Sequence, residues 1–313
     1  MSSSSFSSSP ATAIFELGKY PTVRITVDST GASDLPPKPL LIYSPKDEGE
    51  FPVLLLLHGY LLNNTFYSQL LEHVASHGFI VVAPQLYVVA CTNSKGDMES
   101  AARVANWLPK GLAAVLPTKV SPDMSRLALS GHSRGGKAAF GVVLKKASIT
   151  LSVTFKALIG IDPVDGLCRG CQSPPPILTY QPNSFNINMP ILVIGSGLGE
   201  DRKALIMCPC APKGVNHKEF YDESKPPACH FVPKDYGHMD MLDDDTAGLK
   251  GLMSCVTCKN GESREPMRRF CGGISVAFLR ATLEGDSTAL VAVRNDPGIA
   301  PVVLETVEFR MDA

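Results

Sequence analysis

Short apolar runs closed by turn residues alternate along this chain with stretches in which apolar positions recur every three or four residues. Residues 23–27 and 39–43 read as early strands between turn residues. Residues 53–57, Val-Leu-Leu-Leu-Leu, are wholly apolar, as a strand covered on both faces must be. Phe66, Leu70, Leu71 and Val74 mark one helix face, with Asn64 or Thr65 as its cap. A strand over 79–83, a helix over about 97–115 and a strand over 126–130 follow, then a helix opened by Gly136-Lys137-Ala138-Ala139-Phe140. Strands over 155–161 and 191–195 and a short one over 230–232 come next. Met267, Phe270, Ile274, Ala277, Phe278 and Ala281 form the stripe of a last helix over about 267–283, which Gly285 stops. Buried strands alternating with helices predict an α/β fold built on a doubly wound, mostly parallel sheet.

Two regions break the rhythm. Residues 167–188 are proline-rich, and 198–228 mix cysteine, proline and glycine without periodicity. Loops this long in a compact domain are usually lids or binding loops, so both are expected to form a mobile apolar gate near the site. Residues 1–13 are serine-rich, with no lysine, arginine or long apolar stretch. They read as a short disordered tail, not a clear transit or signal peptide. Residues 14–313 are expected to form a single domain.

With 313 residues, 44% hydrophobic and 19% charged, the chain is long enough for a sizeable core. A formal net charge of −1 and the lack of a basic stripe exclude electrostatic nucleic-acid binding. No apolar run approaches the ~20 residues that span a bilayer. Nine cysteines include the close pairs Cys168/Cys171, Cys208/Cys210 and Cys255/Cys258. A zinc site from Cys168, Cys171, Cys255 and Cys258 would need a much longer separation than compact ribbons have. Reduced thiols with an occasional surface disulfide are expected instead, and no metal.

Gly131-His132-Ser133-Arg134-Gly135 follows the apolar run Leu127-Ala128-Leu129 and leads into the helix. Strand, tight turn and helix in that order make a nucleophile elbow. A β-carbon at Gly131 or Gly135 would collide where the turn pinches. Such an elbow lifts the serine oxygen off the sheet and aims the Arg134 amide at a developing oxyanion. His58-Gly59-Tyr60 after the third strand supplies the second donor, the Tyr60 amide, and His58 reads as a loop support. Leu61 and Leu62 beside it are candidates to line an apolar groove.

Serine needs a base and the base an orienting carboxylate. Of the histidines after Ser133, His217 falls in irregular sequence and His230 opens a strand. His238, in the loop Tyr236-Gly237-His238-Met239, is expected to be the base. Asp162 closes a buried strand before Pro163 and is favoured as the acid because the sheet holds it rigidly; Asp165, Glu200 and Asp201 are the alternatives. Asp240, Asp243, Asp244 and Asp245 lack calcium-loop spacing and read as a solvated helix start.

Taken together, His58-Gly59-Tyr60-Leu61-Leu62, the elbow through Lys137, Ile161-Asp162-Pro163-Val164-Asp165-Gly166 and residues 237–245 resemble the plant chlorophyllases, α/β-hydrolase-fold enzymes. The likeness runs from about Phe15 to the last predicted helix. It implies hydrolysis of the phytyl ester of chlorophyll to chlorophyllide and phytol through an acyl-enzyme, with Ser133, Asp162 and His238 as triad. The magnesium belongs to the substrate, so no cofactor is implied. Chlorophyll or a related phytylated pigment is the expected partner, with peripheral membrane contact left open and the compartment, chloroplast or another, unassigned. A lipase- or cutinase-like esterase and a non-catalytic pigment binder are the competing readings.

Overall fold

The computed structural model describes residues 12–29, 35–87, 92–204 and 207–311. In chain order it has β1 (Thr22–Val27), β2 (Leu40–Pro45), β3 (Gly49–Leu57), α1 (Ser68–Ser76), β4 (Ile80–Pro84), α2 (Lys95–Val115), β5 (Val120–His132) and α3 (Arg134–Val143). There follow β6 (Ala157–Ile161), β7 (Ile191–Ile194), α4 (His217–Glu223), β8 (Ala228–Pro233), α5 (Gly248–Val256), α6 (Glu265–Leu279), α7 (Thr288–Asn295) and β9 (Leu304–Arg310). Among the described residues these strands form one sheet in the order β1-β2-β4-β3-β5-β6-β7-β8-β9. The strands from β4 through β8 in that order run parallel. Antiparallel pairing of β1 with β2, β2 with β4 and β8 with β9 closes both margins.

The apolar run of β3 divides by parity between two cores, as strand geometry requires. Leu54 and Leu56 enter the layer shared with α1 and α6, where Leu70, Val74, Phe270 and Ile274 pack. Val53, Leu55 and Leu57 enter the opposite layer with α2 and α3, against Ala101, Leu108 and Phe140. This is the doubly wound mostly parallel sheet that the pattern predicts, consistent with the α/β-hydrolase fold.

Each predicted strand falls within or close to an observed one, but β5 begins six residues before the predicted 126–130 and β3 four residues before 53–57. The helix predicted from Phe66 starts as a 3-10 turn over Asn64–Tyr67, and neither Asn64 nor Thr65 caps it. Asp243 does so from 175 residues away: its carboxylate accepts from the Ser68 and Gln69 amides at 3.0 and 2.8 Å. The aspartate group is therefore not a solvated helix start. Asp240 is buried and accepts the Gly237 and Gly261 amides, while Asp244 pairs with Arg268.

The helix over 267–283 is α6 continued by a π turn over Arg280–Glu284, and Gly285 ends it at φ 77°. It is not the last helix, since α7 and the edge strand β9 come after it. Of the tail over 1–13, all but Thr12 and Ala13 lie outside the described residues. Ala13 opens a 3-10 turn over Ala13–Phe15 whose Ile14 and Phe15 are buried.

Four buried histidines hold neutral rings in this core. Burial pushes His58 and His77 down to about 4 and His132 and His217 down to about 3. Their native values lie below the ordinary ~6.5, so below that pH the unfolded chain binds protons that the native fold refuses. Stability is therefore full above pH ~6.5 and falls as pH drops from there toward about 4, by roughly 1.4 kcal/mol per pH unit for each histidine. Denaturant titrations at pH 7.5, 6 and 5 should show a steep loss of unfolding free energy; equal values would contradict the buried neutral rings.

Candidate active site

Every residue of the site hangs from the C-terminal edge of the parallel strands, where open α/β sheets gather ligands. At the end of β5 the chain turns sharply into α3, and Ser133 occupies that turn at φ 56°, ψ −123°. A side chain rarely adopts that conformation, so the surroundings must enforce it. They do so by close approach: a β-carbon on Gly131 would stand 2.2 Å from the Gly135 oxygen, and one on Gly135 2.2 Å from the Leu57 oxygen. Only glycine fits at either place. The Ser133 amide donates to the Ile161 carbonyl at 2.9 Å, which ties the turn to the end of β6.

Asp162 leaves β6 at φ 41°, and its amide donates to the Ile194 carbonyl at 2.6 Å. The loop after β8 brings His238 over the same edge. His238 Nε2 lies 2.8 Å from Ser133 Oγ, and its Nδ1 2.7 Å from Asp162 Oδ2. Ser196, just past β7, donates its hydroxyl to the same Asp162 oxygen. All three members are buried, Asp162 completely. Burial alone would raise the Asp162 carboxyl, but the hydrogen bond and charge of His238, with Ser196 behind them, hold it below its ordinary value. An ionised Asp162 keeps a proton on Nδ1 and so leaves Nε2 free to accept from the serine.

The other carboxylates go elsewhere. Asp165 is buried, ion-paired with Lys137 at 2.8 Å, and accepts the Ile177 and Leu178 amides at 2.9 Å each. Glu200 accepts from Asn216 and Lys218, and Asp201 is exposed. His217 is not in irregular chain: it opens α4, with its Nδ1 2.8 Å from His230 Nε2. His58 is buried and its Nε2 accepts the Leu86 amide at 3.0 Å, as a loop support would.

Beside the serine, Tyr60 begins the turn after β3 and Arg134 begins α3. The Tyr60 amide has no hydrogen-bond partner among the described residues. Arg134 does more than its amide suggested. Its guanidinium pairs with the buried Asp97 at 2.5 Å and lies over the rings of Tyr60 and Tyr87 at 5.2 and 5.6 Å. This brace fastens the Tyr60 loop to the start of α2. Nothing in the sequence around Asp97 announced it.

A cavity of about 440 Å³ opens at Ser133 and Arg134. Its walls include Tyr60, Val164, Leu167, Cys171, Gln172, Pro174, Pro209, Cys210 and Pro212, so both irregular segments contribute. Leu61 and Leu62 do not line it. Leu62 turns into the core beneath the sheet edge and is 3% exposed, while Leu61 sits at φ 57° in the turn. Segment 198–228 also contains α4, whose capping box joins Asn216 and Glu219, so it is not irregular throughout. A disulfide from Cys210 to Cys258 anchors that wall to the loop after α5. No cluster of metal ligands occurs among the described residues.

The chlorophyllase family model matches residues 10–311. Chlorophyllase-2 of Arabidopsis thaliana is 54% identical across 97% of this chain and 99% of its own length. Chlorophyllase-1 of the same plant is 46% identical across 97% and 94%. A relative from Citrus unshiu named Chlorophyllase-1, chloroplastic, is 44% identical across 95% and 88%.

The two aspartates of the turn after β6 should separate cleanly on mutation. Asp162→Asn should lower kcat by up to about 10⁴ with a near-normal melting temperature, since it disturbs the His238 tautomer. Asp165→Asn should instead cost about 3–5 kcal/mol of stability by stranding the Lys137 charge, with a much smaller loss of turnover at low temperature. Steady-state kinetics with thermal melts of both variants decides. Greater loss of kcat in Asp165→Asn would reverse the assignment.

Proposed function

The chain belongs to the chlorophyllase family, and on that premise we propose that Ser133, His238 and Asp162 hydrolyse the phytyl ester of chlorophyll. The enzyme is a chlorophyll-hydrolysing carboxylic ester hydrolase. The observation that carries the residue roles is the unbroken contact from Ser133 Oγ through His238 to Asp162.

In the proposed reaction Ser133 Oγ attacks the ester carbonyl carbon while His238 Nε2 takes the hydroxyl proton. The carbonyl oxygen becomes an oxyanion in front of the Tyr60 and Arg134 amides, where preorganised donors lower the barrier most. When the tetrahedral intermediate collapses, His238 gives its proton to the departing phytyl oxygen, and phytol leaves. The chlorophyllide acyl group remains on Ser133. Water, deprotonated by His238, then attacks that ester; chlorophyllide leaves as the acid and the serine regains its proton. Asp162 stays ionised throughout and stabilises the imidazolium formed in each half.

The cavity walls suit a long hydrocarbon. At ~0.8 kcal/mol per buried methylene, even half of the phytyl chain would contribute several kcal/mol of binding. We assign that role to the apolar wall formed by 167–174 and 209–212, with the two segments acting as the gate. Relatives from Citrus are named chloroplastic, and no helix of the described residues is long and apolar enough to cross a membrane. A plastid location with access to pigment from a membrane surface accords with both, and subcellular fractionation tests it.

Leu167 lines the cavity yet is 71% exposed, ready to cover an apolar ligand. Leu167→Asp should lower kcat/KM on chlorophyll by about 10- to 100-fold, the worth of one buried leucine. On p-nitrophenyl acetate the loss should be far smaller. Equal losses on the two esters would remove the phytyl-wall assignment, and absence of chlorophyllide with the parent enzyme would remove the substrate.

A further inference from the structure

The residue before the nucleophile, His132, is wholly buried and takes no part in the proton transfers above. Its two nitrogens are nevertheless both engaged. Nδ1 lies 2.7 Å from the hydroxyl of Tyr67, and Nε2 lies 2.9 Å from the carbonyl of His238. Tyr67, also fully buried, accepts the Gly59 amide on the same oxygen at 2.9 Å.

Donor and acceptor chemistry gives this chain one direction. An amide N–H can only donate, so the Tyr67 oxygen accepts from Gly59 and keeps its own hydrogen for His132 Nδ1. A carbonyl can only accept, so His132 Nε2 carries the hydrogen that reaches His238. The ring is thus neutral, protonated at Nε2 and bare at Nδ1. Every polar atom in the relay is satisfied, which is the condition under which a buried network rigidifies its surroundings.

What the relay joins is the point. Gly59 precedes Tyr60, whose amide faces the oxyanion; His132 precedes Ser133; the accepting carbonyl belongs to His238 itself. The fit is close at the first of these, since a β-carbon on Gly59 would stand 3.0 Å from His132 Nδ1. We infer that His132 and Tyr67 are positioning residues that hold the oxyanion amide, the nucleophile and the base in one register. The inference rests on the proposed roles of Ser133, His238 and Tyr60.

Neutrality of His132 matters in turnover. The rings of His132 and His238 are 4.8 Å apart, and His238 becomes an imidazolium in each half-reaction. A second cation there would oppose that charge. Tyr67 from the turn before α1, His58 from the end of β3, His238 from its loop and Asp162 from the end of β6 are the titratable groups around His132. Burial, and then His238, hold the ring in its uncharged form.

Two measurements test the relay. In the intact parent protein, ¹⁵N-histidine NMR with the His132 ring assigned should show that ring bare at Nδ1 and protonated at Nε2, unchanged between about pH 8 and 5.5. The Tyr67→Phe variant should move that Nδ1 resonance. A His132 ring protonated at Nδ1, or one that titrates in this range, would overturn the inference even if no variant folds. In kinetics, Tyr67→Phe should lower kcat per titrated active site by about 10- to 100-fold, the scale of a small misplacement of reacting groups. KM should stay within about twofold, with equal losses on p-nitrophenyl acetate and chlorophyll. A lower melting temperature with unchanged kcat per active site would reduce Tyr67 to a structural residue and overturn the inference. Ser133→Ala separates the two levels: if it kills turnover while Tyr67→Phe behaves as the parent, only the relay fails. If Ser133→Ala still turns over, the site assignment itself fails.

Discussion

Everything in the site depends on the backbone of Ser133 being held at a positive φ. A serine left to itself would relax out of that conformation, at a gain on the order of 1–3 kcal/mol. It cannot, because its amide is bonded to Ile161 and its carbonyl accepts from Lys137 and Val164. Gly131 and Gly135 let β5, α3 and the end of β3 close around the turn with no room for a methyl group. The strain is thus balanced by main-chain hydrogen bonds and by packing across three parallel strands. Asp162, at φ 41° on the next strand, repeats the device. Ser133 and Asp162 are aimed by the sheet edge and not by flexible loops.

Around that edge the buried charges sort into separate duties. Asp162 faces His238; Asp97 faces Arg134 and steadies the Tyr60 loop; Asp165 faces Lys137 and gathers the chain that walls the cavity. Lys137 also donates to Ser173 in that wall, so the first turn of α3 is tied to the proposed substrate side as well as to Ser133. Three acids and three bases share a small volume without cross-pairing, because each pair is desolvated and fixed by further hydrogen bonds.

Legibility in the sequence followed how local the physics is. The elbow could be read because its sterics act within five residues, and β3 because a strand buried on both faces must be apolar throughout. That Asp162 and His238 would meet could be read because a carboxylate and a histidine at strand ends have few places to go, and they lie 2.7 Å apart. Leu62 could not be aimed: adjacency to the oxyanion turn does not say that φ 57° at Leu61 sends its neighbour into the core. Asp243 capping α1 and Asp97 bracing Arg134 are long-range contacts with no local mark. The helix α4 hid among prolines and cysteines because it is seven residues long and stands on its capping box. The helix α7 buries only Ala289 and Val293, too few positions to leave a clear period, and β9 is a half-buried edge.

The central claim is that the ester is cleaved by covalent transfer of the acyl group to the elbow serine. Acid quenching during turnover of chlorophyll, followed by digestion and mass spectrometry, reads it directly. A chlorophyllide acyl adduct confined to the peptide that carries Ser133 is the expected result. Chlorophyllide released at full rate with the adduct on another residue would contradict it.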